Sequence, residues 1–449
     1  GRDSAEMEAI ALGLFSAGLL ACVFTGKSIL LAMMFGYVLF FGYGIVRHHS
    51  AGQMVRYSLG GIRTVKNILI TFLLIGMITA IWRGSGTIAL LVCEASRFCS
   101  PSAILLVTFL MCCLISVLTG TSFGSTATMG VICVTIANSM GVPIFYTGGA
   151  VLAGVFFGDR CSPMSTSALL VSELTKTDIF KNIGKMVKTS VVPFVLTCLI
   201  YWKLGQTYTS GAGSIAIEEI LRSYYDLSWV VVLPAVIVIL FSVFKQNVKI
   251  TLLVSSLSGI LIAGFVQHLA PAQIVHLCVF GFSAESAEVA TFMNGGGLLS
   301  MTRVFLIVCI SSCYAGIFKE THFLDHLQDG ILRLGEKITP FGAILLTSVV
   351  TSAIACNQTL SIMLTHQLCG PVVENQEELA IDLENTAVVV APLIPWSIAG
   401  AVPLATVGAP ESCLITAVYL YLIPLWNLAV QAMQYRSRHD RSRYASGNA

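Results

Sequence analysis

Charged residues are what this sequence has least of. Only 11% of its 449 residues are Asp, Glu, Lys or Arg, and the formal net charge is +2. A soluble domain carries about 25% charged residues, so the composition excludes a soluble domain of any size. The small net charge also provides no strongly basic surface, and we expect no nucleic-acid partner.

Paired cysteine spacings and common catalytic motifs are also missing. The 14 cysteines follow no paired or metal-like spacing, and most lie in apolar runs, as Cys112 and Cys113 do. Buried, reduced thiols of this kind act as small hydrophobic side chains. The sequence contains neither the H-E-x-x-H metalloprotease motif nor a phosphate-binding P-loop. We therefore expect a protein that is not an enzyme, has no cofactor and is not driven by ATP.

Long hydrophobic runs take the place of charge. Hydrophobic residues make up 56% of the chain, and the runs of about 17–25 residues are long enough to cross a bilayer. The sequence predicts an all-α polytopic membrane protein, embedded in the lipid bilayer of the cell inner (plasma) membrane. Basic residues concentrate in Arg47–Lys66 and in the tail Arg436–Arg443. Because Lys and Arg favour cytoplasmic loops, we expect both termini in the cytoplasm.

Two of the runs are interrupted by polar residues at matching positions. The stretch Thr119–Thr126 (TGTSFGST) breaks one run, and Cys356–Thr359 breaks another roughly 235 residues later. The spacing predicts two halves, each with about five crossings and one re-entrant hairpin. This amounts to about 10 transmembrane helices plus two re-entrant hairpins with discontinuous helices. An odd number of crossings inverts the second half, and such inverted repeats are typical of secondary transporters.

We place the domain boundaries between these halves and before the basic tail. The predicted domains are a first inverted repeat at 1–226 with its hairpin tip near 119–126, a second inverted repeat at 227–433 with its tip near 355–359, and a basic cytoplasmic tail at 434–449.

Four polar elements fall near the middle of apolar runs, where irregular backbone is tolerated only if protein or water satisfies it. They are the tip Thr119–Thr126, the break Gly158–Ser167, the tip Cys356–Thr359 and the proline-interrupted segment Glu384–Ala399. Neutral oxygens with one carboxylate suit a hard monovalent cation such as Na⁺, and helix N-termini at the tips favour an anionic substrate group. A bond from each hydroxyl to the carbonyl one turn earlier is the structural alternative. The predicted ion- and substrate-binding residues are Thr121, Ser122, Ser125, Thr126, Asp159, Ser162, Ser165, Thr166, Asn357, Thr359, Glu384, Asn385, Thr386, Trp396 and Ser397. The predicted Na⁺ ligands among them are Asp159, Ser122 and Asn357.

Asp159 follows the apolar stretch Val151–Phe157, and an ionisable side chain at membrane depth is costly and by default functional. We expect it to alternate between a proton and a cation, which produces antiport by competition for one carboxylate. The alternative is a salt bridge to Arg160 that only anchors the chain break. Glu384 could act like Asp159 or merely sit at a helix N-terminus. His366 is either a proton relay or a hydrogen-bonded core residue.

The segment GTSFG at 120–124 matches the G-x-S-x-G nucleophile elbow. That motif requires a strand-to-helix turn and a His/Asp pair, whereas membrane-like runs flank it here. An intramembrane serine hydrolase would also need a histidine facing Ser122, and His366 is its one candidate. A transporter therefore explains this segment better than a hydrolase does.

Four segments resemble the NhaC family of Na⁺/H⁺ antiporters, which also contains malate/lactate exchangers. They are GTSFG at 120–124, FFGDRCSPMS at 156–165, TDIF at 177–180 and APLIPW at 391–396. The resemblance implies a secondary active transporter of Na⁺ and H⁺ with two re-entrant hairpins, and it also implies a homodimer. The residues that match the family's motif positions are Asp159, Ser162, Ser165, Thr121 and Ser122.

This chain departs from the family's pattern directly after the serine-proline segment. Na⁺/H⁺ members of the family usually continue with Asp-Thr-Thr-Asn, whereas this chain has TSAL at 166–169. One carboxylate and one amide are thus missing from the expected cation site. The departure favours an alternative function, a sodium-coupled exchanger of a small organic solute such as an amino acid or a malate- or lactate-like hydroxy acid.

Overall fold

The fold is helical over the residues that the computed structural model describes, which are 2–163, 165–208, 214–244, 246–323, 326, 333, 337–355 and 357–446. Within these ranges the one β pairing is an isolated bridge between Phe282 and Gly295. Helices α1 to α12 are Arg2–Thr25, Ile29–Val46, Ala51–Thr64, Lys66–Gly84, Thr87–Phe98, Ile104–Thr119, Ser122–Ser125, Val131–Ser139, Ile144–Cys161, Thr166–Thr175, Ile179–Gly205 and Ser214–Tyr224. Helices α13 to α23 are Leu233–Val243, Val248–Phe265, Pro271–Phe280, Ala287–Met293, Thr302–Thr321, Pro340–Ala355, Gln358–Cys369, Gln376–Glu384, Ala387–Val390, Ile398–Thr406 and Val418–Ser446.

Several helices have the length and apolar composition of membrane spans. In the described ranges these are Asp3–Cys22, Ile29–Val46, Ile179–Gly205 and Leu298–Thr321. Three bent helix pairs bring the number of such spans to as many as 7. The polytopic all-α class is confirmed. The expected ten crossings, the inverted repeats and the domain boundaries stay predictions, because shorter apolar helices such as α6 and α18 do not show by length alone whether they cross or re-enter.

The first predicted interruption is a helix break. Helix α6 ends at Thr119, and Gly120 follows with φ 68°, a left-handed conformation that glycine adopts without strain. Thr121 is extended and caps α7, with its hydroxyl accepting from the Gly124 backbone N–H at 3.2 Å. The chain continues through a π-helical turn, Thr126–Gly130, into α8. Both α7 and α8 pack against α6, as the predicted hairpin requires. We call α6, α7 and α8 together the first hairpin.

The second interruption joins α18 and α19, which pack against each other as a second hairpin. Asn357 is extended and caps α19, its side-chain oxygen accepting from the Leu360 N–H at 2.8 Å. Buried hydroxyl pairs link the two helices: Ser352 with Ser361 at 2.7 Å and Thr351 with Thr365 at 2.7 Å. We call α18 and α19 together the second hairpin.

The third break follows helix α9, which packs against α6 of the first hairpin. Helix α9 packs closely on α6 because two of its residues are glycines: a Cβ on Gly158 would lie 2.2 Å from the Ser116 carbonyl carbon, and one on Gly154 would lie 2.8 Å from the Phe109 carbonyl oxygen. Helix α9 ends at Cys161, and α10 begins at Thr166. The break predicted from the sequence is thus present, with Asp159 and Arg160 in the last turn of α9.

The fourth polar element is a run of short helices. Helix α20 ends at Glu384, α21 covers only Ala387–Val390, and α22 begins after Ser397 at a bend of 54°. Glu384 therefore ends a helix instead of beginning one, and the helix N-terminus suggested for it is wrong. The N-terminus of α20 lies at Asn375, whose side chain caps the helix.

Candidate ion-binding site

The Asp159 carboxylate is held by neutral donors from two other helices. It is 4% exposed. Gln358 Nε2 donates to Oδ2 at 2.8 Å, Ser167 Oγ donates to Oδ2 at 3.0 Å and Ser165 Oγ donates to Oδ1 at 3.4 Å. Among the described residues no Lys, Arg or His forms an ion pair with it. A buried carboxylate with uncharged partners is one that a proton or a small cation can neutralise.

Two helix N-termini also face this carboxylate. Ser165 caps α10 and Ser167 lies in its first turn, while Gln358 is the first residue of α19. Helix N-termini carry partial positive charge from their free N–H groups. They therefore stabilise the anionic form of Asp159 without placing a fixed cation beside it, and a mobile cation can still enter.

The two hairpins reach the α9 break by different contacts. On the first hairpin, the Val117 carbonyl accepts from Ser162 Oγ at 2.7 Å, one turn before Gly120. On the second, Gln358 contacts Asp159 and also donates to the Val388 carbonyl at 2.8 Å. The structure thus brings together the α9 break, the end of α6 and the start of α19, which are distant in sequence.

Arg160 points away from Asp159 and fastens the break to its surroundings. The salt bridge suggested between these two residues is absent, because consecutive helical residues do not share a face. The guanidinium is fully buried, and each of its donors contacts a neutral acceptor. These acceptors are the Glu384 and Met186 carbonyls, Thr189 Oγ1, Asn385 Oδ1 and Cys161 Sγ.

Glu384 lies in this buried layer behind Asp159. It is fully buried, and neither of its carboxyl oxygens has a hydrogen-bond partner among the described residues. Arg160 and Asp159 are its charged neighbours. The Glu384 backbone carbonyl, by contrast, accepts from Arg160 Nε at 3.2 Å. Arg160 also donates to Asn385 Oδ1, so the Glu384 backbone and the Asn385 side chain both position the break. The Glu384 carboxyl group lies beside them without a hydrogen-bond partner among the described residues.

The hydroxyls of the first hairpin tip follow the structural alternative in two cases. Ser125 Oγ donates to the Thr121 carbonyl at 2.6 Å and Thr126 Oγ1 donates to the Ser122 carbonyl at 2.7 Å. Each bond spans one helical turn. Ser122 itself is buried at the start of α7. Its role as a Na⁺ ligand stays a prediction.

The remaining predicted residues divide between structural and exposed positions. Trp396 Nε1 donates to the Ala353 carbonyl at 2.8 Å and so ties the bend before α22 to the second hairpin. Asn357 and Ser397 cap helices, and Thr386 Oγ1 donates to the Asp382 carbonyl. Thr166 and Thr359 are exposed and lie outside the Asp159 network. For these positions, ion binding stays a prediction.

Two residues that contact Asp159 are absent from the predicted site. They are Ser167 and Gln358. Ser167 lies two residues after the cap Ser165, and a Ser-x-Ser pair at a predicted helix start was the available signal. Gln358 follows the predicted tip residue Asn357. The described residues contain no cluster of three or more His, Cys, Asp or Glu side chains that could hold a metal ion. The G-x-S-x-G segment joins two helices, so it lacks the strand that a nucleophile elbow needs.

Known proteins resemble this chain over most of its length. Residues 5–170 and 154–426 match the model of the Na⁺/H⁺ antiporter family. The Na(+)/H(+) antiporter NhaC of Alkalihalophilus pseudofirmus is 30% identical over 79% of this chain and 79% of its own length. The Na(+)/H(+) antiporter NhaC of Bacillus subtilis is 27% identical over 82% and 84%. The malate-2H(+)/Na(+)-lactate antiporter of Bacillus subtilis is 25% identical over 86% of each chain. The chain therefore belongs to the Na⁺/H⁺ antiporter family.

Proposed function

We propose that this protein exchanges Na⁺ for H⁺ across the membrane and that Asp159 binds both ions in turn. One observation carries the proposal: a carboxylate buried at the meeting point of three helix ends is held, among the described residues, only by neutral donors. The family, and relatives named as antiporters, support a secondary transporter in place of an enzyme.

In this mechanism the proton and Na⁺ compete for one carboxylate. A proton neutralises Asp159 and leaves its serine contacts intact. Na⁺ instead requires several oxygen ligands, and the hydroxyls of Ser165 and Ser167 are already within reach of the carboxylate. Either ion neutralises the buried charge. The loaded protein can therefore change between its inward-open and outward-open conformations, whereas this change is disfavoured while the site is empty and anionic.

Gln358 links this ion exchange to the second hairpin. Its Nε2 donates to Asp159 Oδ2 and to the Val388 carbonyl. The amide N–H therefore occupies the position beside Oδ2 that Na⁺ would need. Turning the amide by half a rotation would present Oε1 to the cation and break both bonds. We propose that this change releases the start of α19 from α9, so that ion binding alters the position of the hairpin.

A sodium-coupled exchanger of a small organic solute is the second candidate. It is favoured by residues 166–169, where this chain departs from the Na⁺/H⁺ members of the family, which usually have a further carboxylate and an amide there. In this chain Thr166 is exposed and Ser167 contacts Asp159. The relative named as a malate-2H(+)/Na(+)-lactate antiporter supports a hydroxy acid as the solute class.

We also propose the membrane arrangement. The Arg-rich tail and the basic segment Arg47–Lys66 support a cytoplasmic position for both termini of a protein in the plasma membrane. We propose a homodimer, in which the contact between copies holds one part of each chain fixed while the hairpins move.

Reconstituted vesicles carrying a pH-sensitive dye test the exchange. We expect a Na⁺ gradient to drive a pH change with no organic solute present, and Asp159→Asn to abolish it. Asp178→Asn is the matched control, because Asp178 is exposed and caps α11 through an oxygen that Asn retains. Exchange in Asp159→Asn at the wild-type rate would reject the proposal. Counterflow of a labelled hydroxy acid or amino acid, with little Na⁺/H⁺ exchange in its absence, would favour the second candidate.

A further inference from the structure

An apolar groove of about 650 Å³ lies between α18, the outer helix of the second hairpin, and the C-terminal helix α23. This volume is within the range of about 300–1,000 Å³ that is typical of small-molecule sites. Among the described residues, the groove shares no lining residue with the group that contacts Asp159. It is therefore separate from the Asp159 site.

The walls of the groove are hydrocarbon over most of its length. Leu345, Leu346 and Val349 line it from α18, and Leu428 and Ala432 line it from α23. Leu346 is 47% exposed and therefore faces the surroundings of the protein. Both helices belong to the apolar part of the chain, where the surroundings are lipid tails.

One end of the groove carries positive charge. Arg436 is the one charged residue among the described residues that line it, and Tyr435 lies beside it. Lys337 is exposed and directly precedes the lining residue Ile338, so a second cation adjoins the groove. Helix α23 changes here from apolar residues to the Arg-rich sequence, and Tyr with Lys or Arg at such a change marks the membrane–water interface.

We propose that this groove binds one anionic phospholipid, with an acyl chain against α18 and α23 and the phosphate headgroup on Arg436. The groove has the complementary character of that molecule, since it is apolar at membrane depth and cationic at the surface. Basic residues at this position attract anionic lipid headgroups. Arginine also binds phosphate oxygens through paired N–H donors.

Gly342 keeps the groove open at its floor. A Cβ at this position would lie 3.1 Å from Thr339 Oγ1, 3.3 Å from Ile338 Cδ1 and 3.6 Å from Leu428 Cδ1. A larger side chain would therefore extend into the space between the helices. Gly342→Leu blocks the acyl-chain part of the site without altering its charge, and Arg436→Gln removes the headgroup contact without altering the apolar walls.

Native mass spectrometry of the purified full-length protein tests the site. The probes are phosphatidylglycerol and phosphatidylcholine with identical acyl chains. We expect wild-type protein to retain phosphatidylglycerol preferentially and Arg436→Gln to retain about fivefold less of it, the effect of one basic residue near a lipid surface. Gly342→Leu should retain less of both lipids. Arg56→Gln removes an exposed arginine of α3 away from the groove and should behave like wild type.

Three outcomes overturn the proposal: equal retention of both lipids by the wild type, an equal loss in Arg56→Gln and Arg436→Gln, or a lipid-free dimer that Gly342→Leu converts to monomers, which would make a second copy the occupant. If Gly342→Leu does not fold, Leu346→Trp replaces it. The fluorescence of that tryptophan should be quenched by phosphatidylglycerol with brominated chains more strongly than by brominated phosphatidylcholine, and equal quenching would contradict the site.

A bound lipid would also brace the second hairpin, because α18 is joined to α19 and α19 begins with Gln358. We expect faster exchange in vesicles that contain phosphatidylglycerol than in phosphatidylcholine alone, and loss of this difference in Arg436→Gln. This step rests on the exchange activity proposed above. Lipid retention is measured without transport, so failure of the lipid site and failure of the exchange activity are distinguishable.

Discussion

Gln358 Nε2 lies 2.8 Å from Asp159 Oδ2, although 199 residues separate the two in the chain. The bond joins the first turn of α19 to the last turn of α9, and it is the direct hydrogen bond from the second hairpin to the buried carboxylate. Hydrogen bonds to charged groups contribute about 1.5–3 kcal/mol each. The position of the hairpin and the state of the carboxylate are therefore energetically linked.

Replacing Gln358 by leucine should slow Na⁺/H⁺ exchange by about tenfold or more, because the bond that couples α19 to Asp159 is lost. Dye-monitored exchange in vesicles measures the rate. Gln376→Leu is the matched control: Gln376 is likewise the first residue of a helix, α20, but it is exposed. An equal loss of rate in both variants would argue against a specific coupling role for Gln358.

Ser167→Ala should raise the Na⁺ concentration needed for half-maximal exchange by about tenfold, since one oxygen near the carboxylate is removed. Ser172 lies on the same helix and donates to the Leu169 carbonyl at 2.9 Å, away from Asp159. Ser172→Ala should therefore leave the half-maximal concentration unchanged. If Ser167→Ala has wild-type Na⁺ dependence, Ser167 is not a ligand and only shapes the start of α10.

Arg160→Lys should lower the free energy of unfolding by about 3 kcal/mol, because a lysine cannot reproduce five contacts in fixed directions and leaves buried acceptors unpaired. Thermal unfolding in detergent provides the measurement. Arg303→Lys is the control. Arg303 forms a 2.6 Å ion pair with Glu411 and is 48% exposed, so its replacement should change stability by about 1 kcal/mol or less. Similar shifts for the two variants would contradict the anchoring role.

Gly158→Ala should destabilise the protein by about 2 kcal/mol or more and impair exchange. Its Cβ would meet the backbone of α6 at 2.2 Å, and backbone atoms cannot turn aside as a flexible side chain can. Gly184→Ala in α11 has no atom within 4 Å of the new Cβ and should be neutral or stabilising. Equal melting temperatures for Gly158→Ala and wild type would show that α6 and α9 can separate at this point.

Chain breaks were the features that the sequence predicted best. Glycines and hydroxyls inside apolar runs identified the interruptions near Gly120 and Asn357, and a lone carboxylate after an apolar stretch identified Asp159. These signals are local, because each depends on residue types that a membrane helix rarely contains at its centre.

Contacts across the chain could not be predicted in the same way. Whether Asn357 or Gln358 faces Asp159 depends on the rotation of α19 about its axis, and that rotation is set by packing against residues far away in sequence. The suggested salt bridge between Asp159 and Arg160 is wrong, and helix geometry alone excludes it, because neighbouring residues in a helix point about 100° apart. The helix N-terminus expected at Glu384 is wrong because helix α20, which Asn375 caps, precedes this residue and ends at it.

The hydroxyl pairs of the second hairpin have a consequence for how it can move. Ser352 with Ser361 and Thr351 with Thr365 fasten its two helices to each other in a buried seam. Separating the helices would remove these partners from Ser352, Ser361 and Thr365 in an apolar environment, which is costly, whereas Thr351 would keep its 3.2 Å bond to the Ser348 carbonyl. The second hairpin should therefore move as a rigid body, with hinges at its two ends, Ile338–Thr339 and Gly370–Val372.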